Sequence, residues 1–209
     1  KKFELRDIYF NIKKGDKIGI VGESGSGKST IIDLITGVIK PKQGNINIDK
    51  NSIYSDLKGW QKIIGYVPQK ITIIEDTLEN NILFGMTADK KLKTKVLDLI
   101  SKTNLTGLQR ADKQTFSSLI TEKGKNISGG EMQRIAICRA LLRDPEVLIL
   151  DEATSSLDLK TEEQILNLID SLYSKTVVFV SHKMNSLKFC NKIYKVFNGK
   201  LEPFSIEKN

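Results

Sequence analysis

Three stretches of this chain are apolar at nearly every position: Lys17-Ile18-Gly19-Ile20-Val21, Val147-Leu148-Ile149-Leu150 and Thr176-Val177-Val178-Phe179-Val180. Runs this short and continuous are the pattern of parallel strands covered on both faces, and they predict the core sheet. Helical patterns lie between them, so the order strand, helix, strand argues for an α/β sandwich. A second kind of run mixes apolar with polar positions: Leu5 to Ile12 and Gly44 to Ile48, with Ile63 to Val67 as a further β-prone stretch. These predict a small, partly antiparallel β layer.

Between about Gln69 and Asn126 the period becomes helical. Asp76 and Glu79 form a capping-box pair that can open a short helix, and Gly85 can close it. Thr87 can cap a second helix, in which Leu92, Val96, Leu99 and Ile100 recur on one buried stripe. The expected organisation is a single domain over 1–209, with 1–68 and 127–209 forming the α/β core and 69–126 a helical subdomain. Near the end, Ile193 to Phe197, Asn198-Gly199 and Lys200 to Pro203 read as a hairpin, because Asn-Gly suits a type I′ turn.

Composition adds limits. The 209 residues suffice for a sizeable core, and 39% hydrophobic with 28% charged residues is ordinary for a globular protein. Lys and Arg outnumber Asp and Glu by 33 to 25, a formal charge of +8. That excess fits polyanionic ligands or an anionic membrane surface, and equally a solvated Lys-rich exterior. Cys138 and Cys190 lack CxxC or His spacing, so neither a metal framework nor a disulfide is indicated, and a reducing cytoplasm fits. No run of about 18 apolar residues occurs and no signal-peptide core follows Lys1-Lys2, so the chain is expected neither to span a membrane nor to be exported. It enters a strand-like pattern almost at once and reads as a piece of a longer protein.

The chemistry starts with Gly22-Glu23-Ser24-Gly25-Ser26-Gly27-Lys28-Ser29, which matches G-x-x-x-x-G-K-[ST] between an apolar strand and the helical run Thr30 to Thr36. The glycines let the backbone curl so that successive amides face inward, and a helix N-terminus adds positive partial charge, which makes a nest for phosphate. Lys28 can reach the β and γ phosphates, and Ser29 can offer its hydroxyl to Mg²⁺. The bland alternative is a Gly/Ser loop that only turns the chain.

The second apolar strand delivers Asp151 and Glu152 to its C-terminal end, where open α/β sheets place their ligand crevice. Asp151 suits the Mg²⁺ shell and Glu152 suits polarising the attacking water, unless the pair is merely a solvated strand end. His182, the only histidine, directly follows the third strand in Val180-Ser181-His182. It either contacts the γ phosphate and the attacking water or is structural. Gln69 ends Gly65-Tyr66-Val67-Pro68-Gln69, where its amide can touch a metal's water or stand exposed in a loop.

Ser128-Gly129-Gly130-Glu131-Met132-Gln133-Arg134 resembles the signature motif of ABC ATPases. Ser128 can be an N-cap and Glu131 its capping-box partner, with two glycines that let a phosphate approach a helix N-terminus. A mere helix start is the alternative. The resemblance covers nearly the whole chain: Gln69 looks like the Q-loop glutamine, Asp151-Glu152 the Walker B pair, Ser155-Ser156-Leu157-Asp158 the D-loop and His182 the switch histidine.

The resemblance implies a P-loop NTPase fold with a RecA-like core, a small antiparallel β layer and an inserted helical subdomain. It implies binding of ATP and Mg²⁺ by Gly22 through Thr30 with Gln69, metal contacts from Ser29, Gln69 and Asp151, and catalysis by Glu152, His182 and Lys28. It further implies a second cassette as head-to-tail partner, in a homodimer or heterodimer, whose ATP meets Ser128, Gly129, Gly130 and Asp158. Asn81-Ile82-Leu83-Phe84-Gly85 and Thr121-Glu122-Lys123-Gly124 look like the segments that exporter cassettes press against transmembrane domains, which favours export. Those domains are expected in the same full-length chain, which places the cassette on the cytoplasmic face of the cell membrane.

Two departures stand out. Exporter cassettes usually carry an aromatic residue that stacks on adenine upstream of where this sequence begins, and Phe3, Tyr9 and Phe10 read as core or strand residues instead. Glu131 stands where the family more often has Gln, which puts a negative charge near the partner's phosphate. A non-transport ABC ATPase acting on nucleic acid or ribosomes is the alternative function. Such proteins usually show a long coiled-coil insertion or a second cassette, neither of which appears in this sequence, and no nucleic-acid partner is expected. A binding-only, degenerate cassette is disfavoured because Glu152 and His182 are both present.

Overall fold

The computed structural model describes residues 4–108, 119–121 and 126–205. In chain order its elements begin with β1 (Lys17–Gly22), α1 (Lys28–Ile35), β2 (Asn47–Ile48), β3 (Asn51–Ser52), α2 (Leu57–Lys62) and β4 (Ile64–Val67). There follow β5 (Asp76–Thr77), α3 (Leu78–Leu83), α4 (Lys90–Lys102), β6 (Leu119–Ile120) and α5 (Gly129–Leu142). The chain ends with β7 (Val147–Asp151), α6 (Leu159–Asp170), β8 (Thr176–Val180), β9 (Lys192–Phe197) and β10 (Lys200–Phe204). They fall into two compact units, one drawn from 1–64, 145–151 and 174–209, the other from 65–144 and 152–173.

The first unit is built on the three predicted apolar strands. β1 pairs in parallel with β8 on one side and β9 on the other, β8 pairs in parallel with β7, and β10 closes the β9 edge as the antiparallel arm of a hairpin. Asn198 and Gly199 both take left-handed φ, 49° and 76°, as the type I′ turn requires. Ile18, Ile20, Ile149, Val178, Val180 and Val196 pack with Ile31 and Ile32 of α1. Each such side chain contributes on the order of 1.5–3 kcal/mol of hydrophobic transfer. The C-terminal turn of α1 is closed from α2, where Trp60 Nε1 donates to Ile35 O at 2.7 Å and Gln61 Nε2 to Thr36 O at 3.1 Å. These side chains satisfy carbonyls that a helix end leaves without partners.

The expected antiparallel layer is reduced. Residues 5–12 form no strand among the described residues, yet Leu5, Ile8, Phe10 and Ile12 pack on the core and Arg6 N–H donates to Gly199 O at 2.8 Å. Their alternation records burial of one face rather than a ladder. Gly44 to Ile48 contributes only the two-residue pairing of β2 with β3, and the Ile63–Val67 run becomes the short strand β4. At the foot of β1, Asp16 accepts from Lys13 N–H at 2.8 Å, Asn191 Nδ2 at 3.1 Å and Lys192 Nζ at 2.6 Å. Burial alone would raise this carboxyl's pKa, but these donors outweigh it and hold the group below the usual carboxylate range.

In the second unit α3 and α4 pack on α5. Helix starts differ from the sequence expectation by one or two residues. Thr77, not Asp76, caps α3 by accepting from Asn80 N–H, while Asp76 takes Thr77 N–H and Asn80 Nδ2; Asp89, not Thr87, caps α4 through Leu92 N–H. Several side chains offer an acceptor at such a junction, and backbone geometry selects one. The predicted stripe is confirmed in Val96, Leu99 and Ile100, with Leu92 half-buried. Asn81, Ile82 and Leu83 are buried, which leaves Phe84 and Gly85 as the exposed part of that segment. Glu122, Lys123 and Gly124 lie outside the described residues.

Asn81, fully buried, is the polar hub of this unit. Its Nδ2 donates to the carbonyls of Ile74, Asp76 and Thr77, and its Oδ1 accepts from Ile74 N–H and from Arg139 of α5. Arg139 also donates to the carbonyls of Asn81 and Thr72 and lies over the Phe84 ring at 4.3 Å. Burial lowers its pKa to about 10, where it is still charged at neutral pH. Asn81→Ala is expected to cost about 3 kcal/mol in urea-unfolding stability, since it leaves several buried partners unsatisfied. A loss below about 1 kcal/mol would show that water replaces them freely.

Candidate functional site

In the first unit, β1 runs into the loop Gly22–Gly27 and α1 follows at once. A Cβ at position 22 would lie 2.6 Å from Ser26 Oγ and 2.7 Å from Val196 O, so only glycine permits this fold of the loop. Gly27 takes φ 107° as the N-cap of α1, where an L side chain would be strained. The helix therefore begins with no side-chain cap and no acidic residue in its first turn. Its leading amides and the positive end of its dipole are directed into the loop.

Lys28 is buried, and its Nζ donates to Gly22 O and Glu23 O, both at 2.8 Å. Both acceptors are neutral, so the ammonium keeps its full charge for an anion. Ser26 Oγ is buried without a hydrogen-bond partner. An uncapped helix start, a buried cation and an orphaned hydroxyl on one loop are the donor set a polyphosphate requires. Glu23, Ser24 and Ser29 are exposed, and Thr30 is half-buried in the first turn of α1.

The parallel register brings the acidic strand to the same edge. Ile20 of β1 lies opposite Val180 of β8, which lies opposite Asp151 of β7. With strands about 4.8 Å apart, Asp151 sits roughly 10 Å across the sheet from β1, at the end from which the loop emerges. Asp151 and Ser181 are buried and His182 is exposed at that same edge. Ser181 N–H donates to Ile20 O at 3.2 Å, which fixes the exit of β8 beside β1. On the β9 side, a shallow depression of about 560 Å³ separates Glu23–Ser26 from Phe197–Gly199. It offers the half-exposed ring of Phe197, an aromatic beside the loop that the sequence did not single out.

The second unit gathers the remaining candidates around Glu152. This residue adopts φ 52°, a left-handed conformation that is uncommon for a side chain of its size, and its Oε2 accepts from Gln69 Nε2 at 2.9 Å. Gln133 of α5 donates from Nε2 to Glu152 O at 3.2 Å and Ser155 Oγ at 2.9 Å, and its Oε1 accepts from Ser156 N–H at 3.0 Å. Gly129 and Gly130 lie under Ser156, where a Cβ on Gly130 would come within 3.2 Å of its carbonyl oxygen. Ser128 caps α5 in a full capping box with Glu131. Asp158 caps α6, and the Thr161 hydroxyl and amide hold its carboxyl below the usual range. Thus Gln69 meets Glu152, and the 128–130 turn meets the 155–158 turn.

The sequence reading gave Gln133 no role. Its signal was periodicity: it shares a face with Ala136, Ile137, Ala140 and Leu141, all buried, and an amide on an apolar face needs buried partners.

The strand, glycine-rich loop and helix start of the first unit have the arrangement of a P-loop on a mainly parallel α/β sheet. The sequence model described as ABC transporter matches residues 5–155. The mitochondrial iron-sulfur clusters transporter ATM1 of Saccharomyces cerevisiae is 36% identical over 201 residues, 94% of this chain and 29% of that protein. The lactococcin-G-processing and transport ATP-binding protein LagD of Lactococcus lactis is 35% identical over 196 residues, 93% of this chain and 28% of its own length. A solved bacterial Atm1-family ABC exporter with ATP bound superposes with a TM-score of 0.86 at 31% identity, over 94% of this chain and 35% of its own. The chain belongs to the ABC transporter family. It spans less than a third of the length of these two curated relatives.

Gln133→Ala is expected to lower stability by about 2 kcal/mol in chemical denaturation, because it strands a carbonyl, a hydroxyl and an amide at once. Gln133→Glu should cost at least as much, since the carboxylate cannot donate to Glu152 O. A neutral outcome for both would exclude the hydrogen-bonding role.

Proposed function

We propose that this chain is the ATP-binding and hydrolysing cassette of a membrane exporter, pairing head to tail with a second cassette around two nucleotides. The observation that carries the reading is the start of α1: an uncapped helix end, with Lys28 held across its loop by neutral carbonyls. The names of the relatives support transport, and the ATP-bound exporter with the same fold supports the nucleotide. Two relatives of nearly equal identity, 36% and 35%, are named for iron-sulfur clusters and for lactococcin G, so cassette similarity does not specify cargo. Transmembrane domains fused to the cassette, with the cassette on the cytoplasmic face, complete the reading.

In it, the amides from Gly22 through Thr30 and the Lys28 ammonium hold the phosphates. Ser29, Asp151 and Gln69 would hold Mg²⁺, which when bound neutralises charge on the phosphate oxygens. Glu152 polarises the attacking water and His182 contacts the γ phosphate. Ser128, Gly129, Gly130 and Asp158 face the partner's nucleotide. Only a difference in affinity of ATP and ADP for paired and separated cassettes can drive the cycle.

Glu152→Gln should leave ATP binding intact and lower phosphate release by at least about 100-fold, while prolonging the ATP-bound dimer. Undiminished turnover would reject the assigned base. Lys28→Ala should weaken ATP binding by about 10- to 100-fold in calorimetric titration, through loss of charge-assisted hydrogen bonds. Unchanged affinity would place the phosphates elsewhere.

A further inference from the structure

Glu131 lies in the first turn of α5, the turn that in the preceding reading meets the partner's terminal phosphate. Its Oε2 accepts from Ser128 N–H at 2.7 Å and from Ser128 Oγ–H at 2.8 Å, while Ser128 Oγ accepts Glu131 N–H at 3.2 Å. A serine hydroxyl has one hydrogen to give. With that hydrogen on Glu131, Ser128 has nothing left to offer a phosphate oxygen, which only accepts. The hold is charge-assisted and so roughly twice as strong as the same bond to a neutral amide. The carboxylate also places a negative charge at the end of α5 where the helix dipole would otherwise favour an external anion.

The surrounding geometry keeps the arrangement in place. Gly129 and Gly130 are held under Ser156, and Gln133, one turn further along, fastens α5 to the 152–156 turn. The backbone therefore has little room to present Ser128 differently, and freeing its hydroxyl requires the Glu131 side chain itself to swing away. Glu131 is exposed enough to do so: Ser128 and Gly129 beside it are exposed, and Gly130 and Glu131 are half-buried.

We propose that Glu131 is a positioning residue for the trans phosphate contact, an internal anion that occupies the Ser128 donors and must be displaced before the partner's ATP can engage them. It weakens ATP-driven pairing and speeds separation relative to a neutral residue at this position. The inference rests on the head-to-tail reading given above, and the experiment separates the two.

The chain carrying Glu152→Gln is compared with the chain carrying both Glu152→Gln and Glu131→Gln, with Mg-ATP, by sedimentation equilibrium. Glutamine keeps an oxygen for the capping box, and equal melting temperatures of the two proteins without nucleotide check that the helix start survives. Removal of the charge is expected to lower the dimer dissociation constant about tenfold at low salt, the symmetric dimer containing the contact twice. The gain should shrink to under about threefold in 1 M NaCl, where the screening length is about 3 Å. A purely structural role of Glu131 would give no such salt dependence. Equal dissociation constants at low salt, or a weaker dimer after the substitution, would overturn the role given to Glu131 while leaving the head-to-tail reading intact. Failure of both proteins to dimerise with Mg-ATP would overturn the head-to-tail reading, and this inference with it.

Discussion

A parallel sheet delivers the C-terminal ends of its strands to one edge, and the chemistry of the first unit follows from that constraint. The loop after β1, Ser181 and His182 after β8, and Asp151 at the end of β7 come from positions up to about 160 residues apart in the sequence, yet the register of Ile20, Val180 and Asp151 aligns them within two strand spacings. The strands can be packed this way because Ile18, Ile20, Ile149, Val178 and Val180 are buried in one core. The cost is that charged groups end in partly desolvated places. Lys28 and Asp151 are both buried, and each is tolerable there only with polar partners.

The two ends of the sheet solve different problems. At the foot of β1, Asp16, Asn191 and Lys192 close on one another, a neutralised cluster that secures β9 against β1. At the head, Lys28 rests on two carbonyls, and Ser26 Oγ is left over. A protein optimised only for stability would satisfy both ends alike. The contrast gives the proposed phosphate site a physical argument that does not depend on any motif.

Much of this was legible in the sequence because it rests on local pattern. Continuous apolar runs gave β1, β7 and β8, the Asn198-Gly199 pair gave the terminal hairpin, and Ser128 with Glu131 gave the start of α5. Long-range choices were less legible. Residues 5–12 alternate like a strand, but alternation reports which side is buried and not whether a ladder partner exists. Asp76 and Thr77 both offer a capping oxygen, and only the backbone angles decide between them. Asn81, Gln133 and Arg139 are polar residues in apolar stretches whose partners lie on other elements, so their importance emerged only when those elements came together.

These last residues show how the second unit is tied together. Helix α5 is 14 residues long, about 21 Å at 1.5 Å per residue, and nearly every position from Ile135 to Leu142 is buried. Ser128 and Glu131 stand at its N-terminus, Gln133 binds the backbone of Glu152 one turn later, and Arg139 near its other end grips Thr72, Asn81 and Phe84. A helix buried along its length does not bend cheaply, because close packing resists small shape changes. A displacement imposed on the exposed Phe84 side chain therefore has a stiff path through Arg139 and α5 to Gln133, and from there to the turn that holds Glu152 in its left-handed conformation. Gln69, hydrogen-bonded to the same carboxylate, enters this path from the loop that leads to Thr72. In the proposed exporter reading, the exposed Phe84 side chain and the turn that holds Glu152 are thus linked through one buried helix.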